Sequence, residues 1–175
     1  MSDTKQRIQA VARELFAQQG VQRTSLQEIA DKLGITKPAL YYHFTSREDL
    51  VRSIVQPLID DGEKFLREQE ARGSIEPREL LEGFFEFHYR HKQEIALILS
   101  ELSTLADLGL IELVVTWRQR LGLLIYGPEP TLAQATRAVI ALGGLQDCTM
   151  QFADTPYDEL SKAAVDGAYA TLGLG

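Results

Sequence analysis

Within eight residues the chain places a threonine, a lysine, two tyrosines and a histidine: Thr36-Lys37-Pro38-Ala39-Leu40-Tyr41-Tyr42-His43. Together these side chains suit phosphate oxygens and base edges. Lys37 can reach a phosphate or the edge of a guanine. Ala39 is small, which lets a helix approach the major groove and touch a thymine methyl. The tyrosine hydroxyls and the His43 imidazole can donate to phosphate oxygens. Thr36 and Lys37 fall where a short helix starts, and the unpaired N–H groups of a helix start favour phosphate. Thr24, Ser25 and Arg47 flank the segment and could grip a nucleic-acid backbone on either side. Of Tyr41 and Tyr42, one is expected to pack and the other to face DNA. Phe44 continues the Leu40 stripe and reads as core.

Such a segment works only if neighbouring elements hold it. From Thr4 to Gln19 the apolar set Ile8, Val11, Ala12, Leu15 and Phe16 recurs at helical spacing, and Gly20 stops it. Ser25 and Glu28 form a capping-box pattern ahead of Leu26, Ile29, Ala30 and Leu33. Gly34 ends that short helix, and Thr36 caps the next, with Pro38 in its first turn. Two short helices joined by a tight turn make a helix-turn-helix. Ser46 then caps a long helix with acidic Glu48 and Asp49 in its first turn. That helix carries Leu50, Ile54, Leu58 and Phe65 and fades near Arg72-Gly73, with a kink expected at Pro57. Further helices are expected over about 77–92, 93–105, 108–125, 131–153 and 156–172, broken at Gly73-Ser74, Gly127-Pro128-Glu129-Pro130 and Asp154-Thr155-Pro156. The pattern predicts an all-α fold of about nine helices with no strand. Residues 1–46 read as a helix-turn-helix head and 47–175 as a helical effector-binding and dimerisation body.

The run Thr24-Ser25-Leu26-Gln27-Glu28-Ile29-Ala30-Asp31-Lys32-Leu33-Gly34-Ile35-Thr36-Lys37-Pro38-Ala39-Leu40-Tyr41-Tyr42-His43-Phe44, followed by Ser46-Arg47-Glu48-Asp49-Leu50, resembles the TetR family of bacterial repressors. The likeness of motifs covers about residues 5–55. It implies three N-terminal helices for DNA and about six more for effector binding and dimerisation. It also implies binding to pseudo-palindromic operators as a dimer, with release when a small ligand binds. The family's reading-helix contacts would fall on Thr36, Lys37, Ala39, Tyr41, Tyr42 and His43, and its flanking phosphate contacts on Thr24 or Ser25 and on Arg47. Position 38 is proline where many members carry glycine.

Charge fits a split of roles. The net charge is −7, yet residues 1–50 hold seven basic and six acidic side chains, so the acidity lies in the remaining 125 residues, with 11 basic and 19 acidic. An acidic body can keep a dimer soluble while a local surface meets phosphate. In the body, polar groups on apolar helix faces suit a ligand pocket, and Phe84, Phe85, His88, Trp117, Gln146 and Met150 are its expected lining. Ordinary packing produces the same pattern. His88 and His91 have metal-ligand spacing but no second cluster of ligands, so no metal or other cofactor is expected. Small residues along helices 131–153 and 156–172 (Ala135, Val139, Leu142 and Gly143; Leu160, Ala164, Gly167, Ala168 and Thr171) suit a four-helix dimer interface. The single cysteine, Cys148, cannot form an internal disulfide. No nucleophile–base pair or glycine-rich phosphate loop is visible, so a regulator is expected rather than an enzyme or a small-molecule carrier. No apolar run is long enough to span a bilayer, and the start lacks the apolar block of a signal peptide, so a cytoplasmic protein without membrane contact is expected.

Overall fold

The computed structural model describes residues 3–73, 75–99 and 109–174. Among them are nine helices and no strand, in keeping with the all-α expectation. In chain order these are α1 (Asp3–Gln19), α2 (Leu26–Leu33), α3 (Lys37–His43), α4 (Arg47–Ala71), α5 (Pro77–Arg90), α6 (Lys92–Leu99), α7 (Leu110–Tyr126), α8 (Leu132–Gln151) and α9 (Tyr157–Leu172). Of the helix expected over 93–105, residues 100–105 lie outside the described residues, as does residue 108 at the expected start of the next. α4 runs continuously through Pro57, whose ring nitrogen has no proton to give the helix.

The chain forms two compact units, the first within Met1–Ile59 and Gln93–Leu108 and the second within Asp60–Lys92 and Gly109–Gly175. The core of the first is built from the stripes read in the sequence. Ile8, Ala12 and Phe16 of α1 meet Leu26, Ile29 and Ala30 of α2, Leu40 of α3, and Phe44. Leu50, Val51 and Ile54 of α4 and Leu97 of α6 complete the cluster. This unit therefore continues past residue 46: the first turns of α4 supply part of the core on which the helix-turn-helix rests.

The turn between α2 and α3 is fixed by Gly34, which adopts φ +67°, a left-handed value that a side chain strains. The Gly34 N–H donates to the Asp31 carbonyl at 3.1 Å and the Ile35 N–H to the Ala30 carbonyl at 3.0 Å. Those two bonds satisfy carbonyls that the end of α2 would otherwise leave unpaired.

In the second unit α8 packs against α5, α7 and α9, and α9 packs also on α5. Leu80, Leu81, Phe84 and Phe85 of α5, Leu121 of α7, Ala141, Leu142 and Leu145 of α8, and Leu160, Val165 and Leu172 of α9 are buried. Trp117 of α7 lies over Gly62 of α4, where a Cβ would overlap the indole ring. Glycine at 62 is what admits the tryptophan.

Candidate nucleic-acid interface

The short helix α3 is held from below and bare on top. Leu40 is fully buried and Phe44 nearly so, and they pin the helix to the first unit's core. The Thr36 hydroxyl caps it by accepting the Ala39 N–H at 3.3 Å. Thr36, Lys37 and Ala39 are exposed and His43 is half-buried. Tyr42 is 86% exposed and Tyr41 42%. The expectation that one of the two tyrosines packs is therefore corrected. Leu40 and Phe44, four residues apart, occupy the buried stripe, and positions 41 and 42 are turned off it. The Lys37 ammonium lies 5.7 Å from the centre of the Tyr41 ring. Tyr42 meets His43 edge-on, with ring centres 5.3 Å apart. The exposed surface thus carries a cation, two phenols, an imidazole and a small methyl, the groups that contact phosphates and base edges in a major groove.

The flanking residues are more committed. Thr24 is 1% exposed, and its hydroxyl donates to the Gly20 carbonyl at 2.8 Å and accepts from the Gln19 amide at 3.2 Å. Of the pair Thr24 and Ser25, only Ser25 reaches the surface. The Ser25 hydroxyl caps α2 by accepting the Glu28 N–H at 3.1 Å, while the Glu28 carboxylate accepts the Ser25 N–H at 2.7 Å. Bonds from the Ser25 N–H first, then from its hydroxyl and from Gln19, hold the Glu28 carboxyl below its ordinary value. Arg47 spans back to the segment between α1 and α2: Nη1 donates to the Gln22 carbonyl at 2.9 Å and Nη2 to the Gln22 amide oxygen at 2.8 Å.

Sequence reasoning missed Gln22 as well as two other supports. Buried Gln9 of α1 donates to the Ser53 hydroxyl of α4 at 3.0 Å. The Asp49 carboxylate accepts the Thr45 N–H at 2.9 Å just before α4. No local pattern in the chain announces pairs this far apart, except Thr45 and Asp49, whose spacing of four residues is a legible signal.

In the second unit the expected ligand lining divides. Phe84 and His88 are in ring contact at 4.1 Å, and the Phe87 ring lies beside both His88 and Trp117. Gln146 reaches His88, and its amide oxygen accepts from Arg118 Nη2 at 2.7 Å. Phe85 instead packs on Tyr89 and Tyr157. Met150 is half-buried. Burial pushes the His88 imidazole down to about 4, outweighing its bond to the Phe84 carbonyl, so the ring is neutral near pH 7. Among the described residues no group of three or more His, Cys, Asp or Glu is placed to hold a metal ion, and no helix is long and apolar enough to cross a membrane.

The sequence profile of the bacterial regulatory proteins of the tetR family matches residues 8–54, which hold most of α1, all of α2 and α3, and the first turns of α4. This segment of the chain is similar to the TetR family. Among curated relatives, the HTH-type transcriptional regulator AcrR of Shigella flexneri is 50% identical over 52 residues, 30% of this chain and 24% of that protein. The repressor KstR2 of Mycolicibacterium smegmatis is 31% identical over 112 residues, 61% of this chain and 53% of that protein. The matches to curated relatives thus span between about a quarter and a half of each relative's length. A crystal structure of a transcriptional regulator from Aquifex aeolicus is 26% identical, with a TM-score of 0.78 over 95% of this chain and 98% of that one. A TetR-like regulator from Rhodococcus shares the fold at 21% identity, with a TM-score of 0.72 over 97% and 96%.

Proposed function

We propose that the chain is a transcriptional repressor that binds a pseudo-palindromic operator as a homodimer and leaves it when a small molecule occupies the second unit. The observation that carries this is the bare face of α3. Its Lys37, Ala39, Tyr41, Tyr42 and His43 stand on a base fixed by Leu40 and Phe44, within the segment that matches the TetR family. Lys37 neutralises a phosphate or reads a guanine edge, Tyr42 and His43 donate to phosphate oxygens, and Ala39 lets the helix sit deep. Ser25 and Arg47 flank the groove, with Arg47 also bracing Gln22. Thr24 supports the turn beneath them.

Dimerisation places two copies of α3 about one DNA turn apart, roughly 34–36 Å. Leu132, Val139 and Ile140 of α8 support a self-association face, being 82%, 56% and 61% exposed. Leu142 of α8 and Leu160 and Ala168 of α9 are buried within the unit, so the face between subunits falls on other residues than those three. An effector bound among α5, α7 and α8 acts through α4, which is one continuous helix from Arg47 to Ala71. Its shift changes the separation of the reading helices and so the affinity for DNA.

The test is selection of duplexes from a random pool by the purified protein. The expected product is an inverted repeat with half-sites about ten base pairs apart or a multiple of that. A pool with no enriched sequence would overturn the reading. Reporter transcription from the enriched site then separates repression from activation.

A further inference from the structure

Two arginines on α7 present the same hydrogen-bonding edge to different partners. The Nε and Nη2 groups of Arg120 point the same way and donate to the two oxygens of Glu70, each at 2.8 Å. Its Nη1 donates to Glu63 at 2.9 Å. Arg120 is thus fully paired with carboxylates, in the side-on fork that a guanidinium offers to two coplanar oxygens. Arg118 offers the same edge half-filled. Its Nη2 donates to the single amide oxygen of Gln146 at 2.7 Å, and its Nε is buried with no hydrogen-bond partner. Among the described residues no carboxylate pairs with Arg118.

A buried donor without an acceptor, on a cation without a counter-ion, is costly. The surroundings do not lessen that cost. His88, against whose ring Phe84 and Phe87 pack, is an uncharged neighbour of Arg118 and offers it no anion. On the other side lies Gly143 of α8, whose Cβ, if it had one, would stand 3.7 Å from Arg118 Nη1. Gly143 therefore puts no side chain against the guanidinium. Gln146 is half-buried and held on its oxygen by this one bond. It is the group that an incoming ligand would displace.

We propose that Arg118 is the anion-binding group of a ligand site in the second unit, and that it takes the carboxylate of an amphipathic acid in the side-on mode that Glu70 takes on Arg120. One carboxylate oxygen replaces the Gln146 oxygen on Nη2 and the other satisfies Nε. The apolar body of the acid lies toward Phe84, Phe87 and Trp117. A single planar negative charge matches two donors on one edge, and the apolar surroundings favour it over a doubly charged, strongly hydrated phosphate. The proposal names the effector class for the regulator described above and rests on that reading only for its consequence on DNA.

The test uses the chain's single tryptophan, Trp117, as the reporter on free protein. Octanoate, phenylacetate and hydrocinnamate are titrated, each beside its primary amide. At least one acid is expected to change Trp117 emission saturably, with its amide weaker by about tenfold or more, the worth of one charge-assisted pair. Arg118→Met is expected to abolish that preference, while Arg118→Lys, which keeps the charge but not the fork, falls between. His88 reports independently: its imidazole titration, followed by NMR, moves up when an anion sits beside it. Arg118→Met is expected not to lower the melting temperature, because it removes an uncompensated charge. Equal binding of acids and amides, no binding by any acid of the panel, or an Arg118→Met variant that binds the acid as wild type does, overturns the proposal. So does sedimentation showing that Arg118→Met splits a wild-type dimer, since the missing anion is then a side chain of the second copy. An acid that binds in this way without releasing operator DNA leaves the site standing and contradicts the regulatory reading instead.

Discussion

Arg47 holds Gln22 by both its main chain and its side chain, with Nη1 on the carbonyl at 2.9 Å and Nη2 on the amide oxygen at 2.8 Å. The start of α4 is thereby tied to the loop that leads into the helix-turn-helix, 25 residues earlier. Arg47→Ala removes both bonds and is expected to destabilise the first unit by about 1–2 kcal/mol. Arg47→Lys separates bracing from phosphate contact. If bracing dominates, lysine melts like alanine and binds DNA as weakly. Thermal melts and operator titrations of the two variants decide it, and lysine restoring both to wild type would refute the bracing role.

Acid stability follows from three glutamates. Glu28 is held below its ordinary value by Ser25, and Glu63 and Glu70 by hydrogen bonds from Arg120. A carboxyl that is lowered on folding stabilises the fold above its unfolded value, about 4.3, and loses that contribution as pH falls through the folded value. Arg120→Met removes the cause for two of them. Its melting temperature is therefore expected below wild type at neutral pH and to converge with wild type toward pH 3. A gap that stays constant across that range would contradict the pairing.

Gly62→Ala tests the closest approach in the second unit. The added methyl overlaps the Trp117 indole, and overpacking of this kind costs about 1–3 kcal/mol. A lower melting temperature with shifted Trp117 emission is expected, and Trp117→Leu in the same chain should recover part of the loss. A neutral Gly62→Ala would show that the ring moves freely.

What could be read from the chain and what could not divide by distance along it. Ser25 with Glu28, Gly34 at the turn and Thr36 ahead of Pro38 are local devices, whose partners lie within a few residues, and the structure shows all three at work. The stripes of α1 and α2 were likewise legible, because helical spacing fixes which residues share a face. Arg47 with Gln22, Gln9 with Ser53, and Arg120 with Glu63 and Glu70 join residues 25 to 57 apart and leave no periodic trace. Thr24 shows the complementary limit. Its position beside the reading segment suggested a surface role, but its burial depends on how α1 and α2 close over it. The packing of Phe85 on Tyr157 was not legible for the same reason, because Tyr157 comes from the distant α9.

On the proposed DNA-binding face, Tyr42 and Lys37 are expected to contribute differently. Tyr42 is the more exposed of the two tyrosines of α3 and lies off the core stripe, so Tyr42→Ala is expected to leave the folding stability within about 0.5 kcal/mol of wild type. Its DNA affinity is expected to fall about tenfold for each copy of Tyr42 that touches DNA, the worth of one good contact. A Tyr42→Ala variant that unfolds would place the ring in the core instead.

In the proposed function α3 meets DNA through Lys37. The most direct measurement is the affinity of wild type and Lys37→Ala for the selected duplex, by fluorescence anisotropy across a range of salt concentrations. Each phosphate neutralised contributes about −0.9 to the slope of log affinity against log salt. Lys37→Ala is predicted to bind more weakly, with the slope reduced by about one for each Lys37 that touches a phosphate. Lys37→Ala binding as tightly as wild type, with the same slope, would contradict the account.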